Sequence, residues 1–220
     1  MGINNAYTGP ADLPDVLPVF PLSGALLLPR SEMPLNIFEP RYLAMVDAAL
    51  AGNRLIGMVQ PLPGTEASNL PPLSRVGCAG RITAFQETGD GRILITLTGI
   101  SRFDVVSELT EETLYRVCRI DTKPYRADFL PPGNDLGIDR PRLIETLEAF
   151  LEANDLDADW DDIDATPSET LVNILSMMSP YGPREKQALL EARDARERSE
   201  MLIAITERVL MDDGDGEGLQ

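Results

Sequence analysis

An α+β fold is what the sequence predicts: a strand-rich N-terminal half, closing into a small barrel or a pair of packed sheets around one early helix, then a helical C-terminal half. Three observations carry this reading. Short apolar runs of strand length, punctuated by Pro and Gly, fill residues 17–123. A run with Pro124, Pro131, Pro132, Gly133 and Gly137 follows, which is linker composition. Beyond it, apolar residues recur at helical spacing behind helix-start signals.

Taken in order, residues 1–13 are polar and without periodicity and read as a loose arm. Leu17-Pro18-Val19-Phe20-Pro21-Leu22 is an apolar strand hemmed by prolines, so an edge strand or a strand start. Gly24 to Leu28 and Met33 to Ile37 read as two more short strands. Glu39-Pro40-Arg41-Tyr42 then opens a helix, with Pro40 at the first helical position, where its missing N–H is no loss. Leu43, Val46 and Leu50 keep helical spacing and Gly52 is the stop. Leu55 to Val59 returns to strand, and a loop with Pro61, Pro63, Pro71 and Pro72 follows.

Gly80 to Gln86 and Arg92 to Thr98 flank Thr88-Gly89-Asp90-Gly91, a hairpin signal. Ile93, Ile95 and Leu97 share one face of the second strand. Gly99 interrupts it, Ile100 to Val106 reads as another strand, and Leu114 to Lys123 as the last. In the C-terminal half, Leu143, Ile144, Leu147 and Leu151 give one helix. Thr166-Pro167-Ser168-Glu169 reads as a capping box opening a second, through Leu171, Ile174, Leu175 and Met178. Pro183 opens a third. Asp194 with Glu197 reads as a capping box for a fourth, striped by Met201, Leu202, Ile205, Val209 and Leu210. Met177, Met178 and Met201 read as core. From Asp212 the tail is acidic, Gly-rich and expected to be disordered.

Composition excludes several functions. Apolar residues make up 43% of the 220, enough for a real core. The net charge of −17 argues against nucleic acid and against an anionic membrane surface. There is no leader-like N-terminus, and Ala6 stands where a myristoylation motif needs Ser or Thr. The reading is a cytoplasmic chain without membrane contact. With no His, there is no Ser–His or Cys–His pair and no His-ligated metal. Cys78 and Cys118 form no CxxC pair and read as reduced core residues.

Neither lysine sits in a phosphate-binding loop, since Lys123 follows Thr122 and Lys186 follows Glu185. Both are expected to be solvated surface residues, not members of a Ser–Lys dyad with Ser176 or Ser179. Asp155, Asp157 and Asp159 have the spacing of a calcium-loop start, but Trp160 and Thr166 stand where the loop needs Gly and Glu. The acidic run from Glu145 to Asp164 is therefore read as a solvated loop. No metal, cofactor or catalytic residue is assigned.

Leu17 to Leu22, Leu28-Pro29, Met33-Pro34-Leu35 and above all Ile37-Phe38-Glu39-Pro40-Arg41-Tyr42 resemble the N-terminal domain of Lon proteases. The nearest form is the free-standing bacterial one, a Lon substrate-binding domain protein. Gly77, Ile82, the Asp90-Gly91 tip, Gly99 with Arg102, and Pro183 to Glu191 fit the same pattern, and the resemblance spans Asp15 to Met211. It implies a PUA-like β-barrel with an inserted helix, followed by a helical bundle. In that family the domain helps recognise unfolded or damaged substrates and supports hexamer assembly. The ATPase and Ser–Lys protease modules that complete those enzymes have no counterpart here, so no enzymatic activity is expected.

The expected organisation is an arm at 1–13, the PUA-like domain at 14–127, a linker at 128–138, a helical subdomain at 139–211 and a tail at 212–220. The expected function is non-catalytic binding of unfolded or partner polypeptides in protein quality control. Phe38, Glu39, Arg41 and Tyr42 are the candidate binding residues, rimming an apolar groove. A purely structural reading of the same segment has Glu39 at the positive helix end and Phe38 anchored in the barrel. The alternative function is nucleic-acid binding, since PUA-like barrels elsewhere bind RNA.

Overall fold

The computed structural model describes residues 6–65, 68, 70–131 and 137–216, the side chains of 213–216 excepted. They form two compact units. The first is Met1–Pro131 with Gly182–Leu190, and the second is Pro132–Tyr181 with Glu191–Gln220. Charge divides unequally between them. The first holds 13 Lys and Arg against 15 Asp and Glu, and the second 6 against 21. The net charge of −17 thus resides mostly in the second unit, and the first is close to neutral.

The first unit is a six-stranded sheet: β1 (Val16–Pro21), β2 (Glu32–Ile37), β3 (Leu55–Pro61), β4 (Leu73–Glu87), β5 (Ile93–Leu109) and β6 (Arg116–Asp121), in the order β2-β5-β4-β3-β1-β6. Helix α1 (Pro40–Ala51) is inserted between β2 and β3. Among the described residues only β1 and β3 run parallel. The sheet closes because β5 is long enough to be used twice. Its first half pairs with β2 (Glu32↔Thr98 to Ile37↔Ile93), and its second half pairs with β6 (Asp104↔Asp121 to Leu109↔Val117). The ring β1-β3-β4-β5-β6 is therefore a small barrel, and β2 with the ends of β4 and β5 forms a three-stranded arm beyond it.

Phe103, fully buried, fills the barrel with Leu17, Val19, Leu55, Val59, Ala79, Cys118 and Ile120 around it. Two glycines make room for its ring. A Cβ on Gly77 would stand 2.5 Å from Phe103 Cζ, and one on Gly57 2.9 Å. Neither cysteine is in a disulfide and both are buried, and burial pushes the Cys118 thiol up to about 11.

Two strand expectations are corrected. Gly99 does not end a strand, because β5 runs through it with a register shift opposite Ala79 and Gly80, a bulge that bends the strand between its two partners. Gly24 to Leu28 is not a strand either. Leu26, Leu27 and Leu28 are buried, but the segment crosses over β5 as irregular chain. Its anchors are Arg30 N donating to Gly99 O (2.8 Å) and Gly99 N donating to Ser31 O (2.9 Å).

The 3-10 helix η2 (Lys123–Phe129) seals one side of the barrel. Its Asp128 accepts from Arg102 Nε (2.9 Å), Arg102 Nη2 (2.8 Å) and Arg102 N (2.9 Å). Arg102 Nη1 donates to Leu190 O, and the guanidinium lies 4.9 Å from the Tyr125 ring centre. Burial alone would lower the Arg102 pKa. The hydrogen bonds and charge of Asp128 outweigh it and hold the pKa above its usual value.

In the second unit, α2 (Arg140–Ala153) and α4 (Ser168–Met178) each pack on α6 (Ala195–Gly216), and α3 (Trp160–Ala165) links the first two. The helix α3 replaces part of the expected acidic loop. Asp159 caps its N-terminus, accepting from Asp162 N, and Arg140 donates to Ile163 O and Thr166 O at its other end, where a cation suits the carbonyls. Thr166 is accordingly not a cap for α4: its hydroxyl donates back to Asp162 O, and Pro167 holds the N-cap position. At α6, Asp194 accepts from Glu197 N as expected, but the Glu197 carboxylate turns to Arg193. Met178 is 78% exposed, against the core placement expected for it. α6 continues to Gly216, past the expected start of the tail.

Helix α5 (Pro183–Glu191) belongs, through Leu190, with the first unit. Gln187 Nε2 donates to Val76 O, and Gln60 Nε2 donates to Gln187 Oε1 and Pro183 O. Lys186, expected at the surface, is 3% exposed there. Burial lowers its pKa from 10.5 to about 8. The unfolded chain therefore binds more protons than the native one between pH 8 and 10.5, and this group makes stability rise across that window. The expected gain is about 2–3 kcal/mol. The Cys118 thiol works the other way above pH 9, so the effect is read as a difference: in urea titrations at pH 7.5, 9 and 10.5 the wild type should gain steadily on Lys186→Met. An identical pH profile in both would contradict it.

Candidate functional site

The candidate residues of the Phe38 segment part company in the structure. Ile37 ends β2 buried, and Pro40 starts α1 with Glu39 at its N-cap. Tyr42 is buried, its ring 4.1 Å from that of Phe20, and burial raises its pKa. Arg41 covers the outer face of that ring at 4.5 Å and pairs with Glu39 at 2.8 Å. Tyr42, not Phe38, therefore anchors the segment. Phe38 is 60% exposed, with the Arg92 guanidinium 6.0 Å from its ring centre.

Arg92 brings Phe38 to the three-stranded arm. Register places Pro34, Thr96 and Ala84 in one cross-strand row and Asn36, Leu94 and Gln86 in the next. Directly paired residues point to the same face, so these six line one shallow groove of about 470 Å³. The row between them, Leu35–Ile95–Phe85, points the other way. Ile95 is buried, while Phe85, at the margin, is 52% exposed. Leu94 is 41% exposed. Composition alone did not single out Phe85 or Leu94. Their signal was an apolar residue at every position of Ile93–Leu94–Ile95, which leaves one side chain of the strand without a core to face.

The two margins of the arm differ. The outer margin of β2 carries Pro34, which has no N–H and so blunts that edge. The margin of β4 carries neither proline nor lysine. Its pairing with β3 ends at Leu55↔Arg81, and among the described residues nothing pairs with it from Thr83 to Glu87. Thr88 N donates to Arg92 O, so that pair is hydrogen-bonded. Antiparallel pairs alternate between bonded and non-bonded, which makes Glu87↔Ile93 and Phe85↔Ile95 the non-bonded pairs. The backbone N–H and C=O of Phe85 and Glu87 therefore point out of the sheet, toward the unoccupied margin.

Among the described residues there is no group of three or more Cys, Asp or Glu placed to hold a metal ion. No described helix is long and apolar enough to cross a membrane.

The chain is similar to known proteins over most of its length. Residues 16–208 match the family described as the ATP-dependent protease La (LON) substrate-binding domain. Lon protease 2 of Myxococcus xanthus is 26% identical over 200 residues, 90% of this chain but 24% of that protein. The chain thus spans about a quarter of the length of that relative. The Lon N-terminal domain protein of Xanthomonas campestris superimposes with a TM-score of 0.60 at 22% identity, covering 86% of this chain and 97% of the other. The N-terminal domain of Mycobacterium avium complex Lon protease gives 0.61 at 19% identity, covering 87% and 98%. The overall fold thus recurs in solved Lon N-terminal domains, and the match over residues 16–208 makes this chain a member of the Lon substrate-binding domain family.

Proposed function

We propose that the chain is a non-catalytic polypeptide-binding module, taking an extended, apolar-rich segment of an unfolded protein as an added strand along β4. The observation that carries this is the outward-facing backbone of Phe85 and Glu87, set beside the exposed side chains of Phe85, Leu94 and Phe38. An added strand would satisfy those backbone groups irrespective of sequence, and the apolar side chains on either face would favour exposed hydrophobic segments. That selectivity suits a protein that meets misfolded chains, and the substrate-binding description of the family supports protein quality control as the setting. Phe38 contributes contact surface, while Glu39, Arg41 and Tyr42 hold the α1 entry that positions it.

Two substitutions test this. Phe85→Ser removes an exposed ring, and Glu87→Pro removes an outward N–H at a margin where proline is tolerated. Each should weaken capture of a reduced, carboxymethylated protein by about tenfold or more. Stability should stay within about 0.5–1 kcal/mol of wild type, because neither group is in the core. Unchanged capture by both variants would refute the proposal.

A further inference from the structure

The geometry points to a second site, in the first unit, that takes a free carboxylate carried on a short apolar group. It is a cleft of about 550 Å³ between the N-terminal segment around Tyr7–Pro14 and the turn joining α1 to β3, with Arg54 and Arg81 both on its wall. That volume is in the range of small-ligand sites, and Leu13, Leu50 and Leu55 give it apolar walls.

The argument starts from the backbone of Arg54. Its φ is +64°, in the left-handed region that disfavours any residue with a Cβ. Gly52 and Asn53, both better suited to that conformation, immediately precede it, yet Gly52 has φ −111° and Asn53 is not left-handed. The backbone is fixed there by Arg54 N donating to Ala49 O and Ile82 N donating to Arg54 O, both at 2.8 Å, so what calls for a reason is an arginine, where a glycine would be unstrained, at that position.

Arg30, also left-handed at φ +64°, has a use for its side chain, since its guanidinium donates to Asp128 O and Leu130 O. The Arg54 guanidinium makes no hydrogen bond or ion pair among the described residues. Arg81 Nη1 donates to Tyr7 Oη at 3.1 Å.

The carboxylate on the wall, Asp12, is engaged by Thr8 N, Thr8 Oγ1 and Gly9 N, which lower its pKa. It is therefore a standing negative charge. The Arg54 guanidinium fork, with no protein partner, matches the two oxygens of one carboxylate, and Asp12 opposes a phosphate dianion at the same place about twice as strongly as a singly charged carboxylate. Site and ligand chemistry are independent of the strand-addition surface.

Arg54→Gly separates this role from a structural one, because it removes the guanidinium and relieves the backbone together. Titrations monitored by amide NMR shifts at Gly52 and Leu55 would use N-acetyl-leucine, N-acetyl-leucinamide, inorganic phosphate and a pentapeptide ending in a free leucine. The expected result is binding of N-acetyl-leucine, at least tenfold weaker binding of the amide, and at least tenfold loss in Arg54→Gly, with a melting temperature equal to or above wild type. Tighter binding of the pentapeptide than of N-acetyl-leucine would support the site and assign the carboxylate to a chain terminus. Weaker binding of the pentapeptide would support it and assign a small molecule. Equal binding of acid and amide, preference for phosphate, unchanged binding by Arg54→Gly, or a lowered melting temperature in that variant would overturn the proposal.

Discussion

Replacing Gly99 with alanine is expected to cost more than about 3 kcal/mol and to leave little folded protein. A Cβ there would stand 2.1 Å from Leu28 O and 2.8 Å from Leu28 C. Neither atom can swing away, because both belong to backbone held by Gly99 itself on one side and by the buried Leu26–Leu28 run on the other. Relief requires the whole crossing segment to lift off β5, exposing three buried leucines. Gly9 is the control. It lies at φ −172° with nothing within 4 Å of its added Cβ, so Gly9→Ala should stay within about 0.5 kcal/mol of wild type. Urea midpoints for the two variants check this. A Gly99→Ala protein as stable as Gly9→Ala would mean that the crossing is not as close as described.

Asp128→Ala should cost about 3–5 kcal/mol. Asp128 and Arg102 are 9% and 3% exposed, and removing the carboxylate leaves a guanidinium buried without its counter-charge. It also orphans Arg102 N. The replacement of both, Arg102→Met with Asp128→Leu, should lose less than the single change, because two apolar side chains carry no unbalanced charge into the interior. Urea denaturation of the three proteins gives the ordering. If the double variant is the least stable, the pair contributes net attraction beyond what burial removes.

How much of this could be read in the sequence depended on how local the cause was. Pro40 and Gly52 bound α1 through their own backbone chemistry, so that helix was legible to the residue. So was the hairpin at Asp90-Gly91. Gly99 was misread because its reason for being glycine is the carbonyl of Leu28, distant in sequence. Lys186 was misread because amphipathicity shows which face of α5 is polar. It does not show that this helix packs into the first unit, with the neighbouring Gln187 bonded to Gln60 and Val76.

The candidate site was legible in part for the same reason. Phe38 stood out by its motif, but its exposure follows from Tyr42 taking the place against Phe20. The margin of β4 is visible only once β3 is known to stop at Leu55↔Arg81.

The central claim is that an unfolded polypeptide adds to β4 between Thr83 and Glu87. Amide hydrogen exchange, with and without a saturating carboxymethylated protein, tests it most directly. In the free protein the N–H groups of Phe85 and Glu87 should exchange fast, while those of Ala84 and Gln86, bonded to β5, exchange slowly. Added polypeptide should slow Phe85 and Glu87 and leave the outer margin of β2 unchanged. Bound polypeptide that leaves Phe85 and Glu87 exchanging at their free rates would contradict the account.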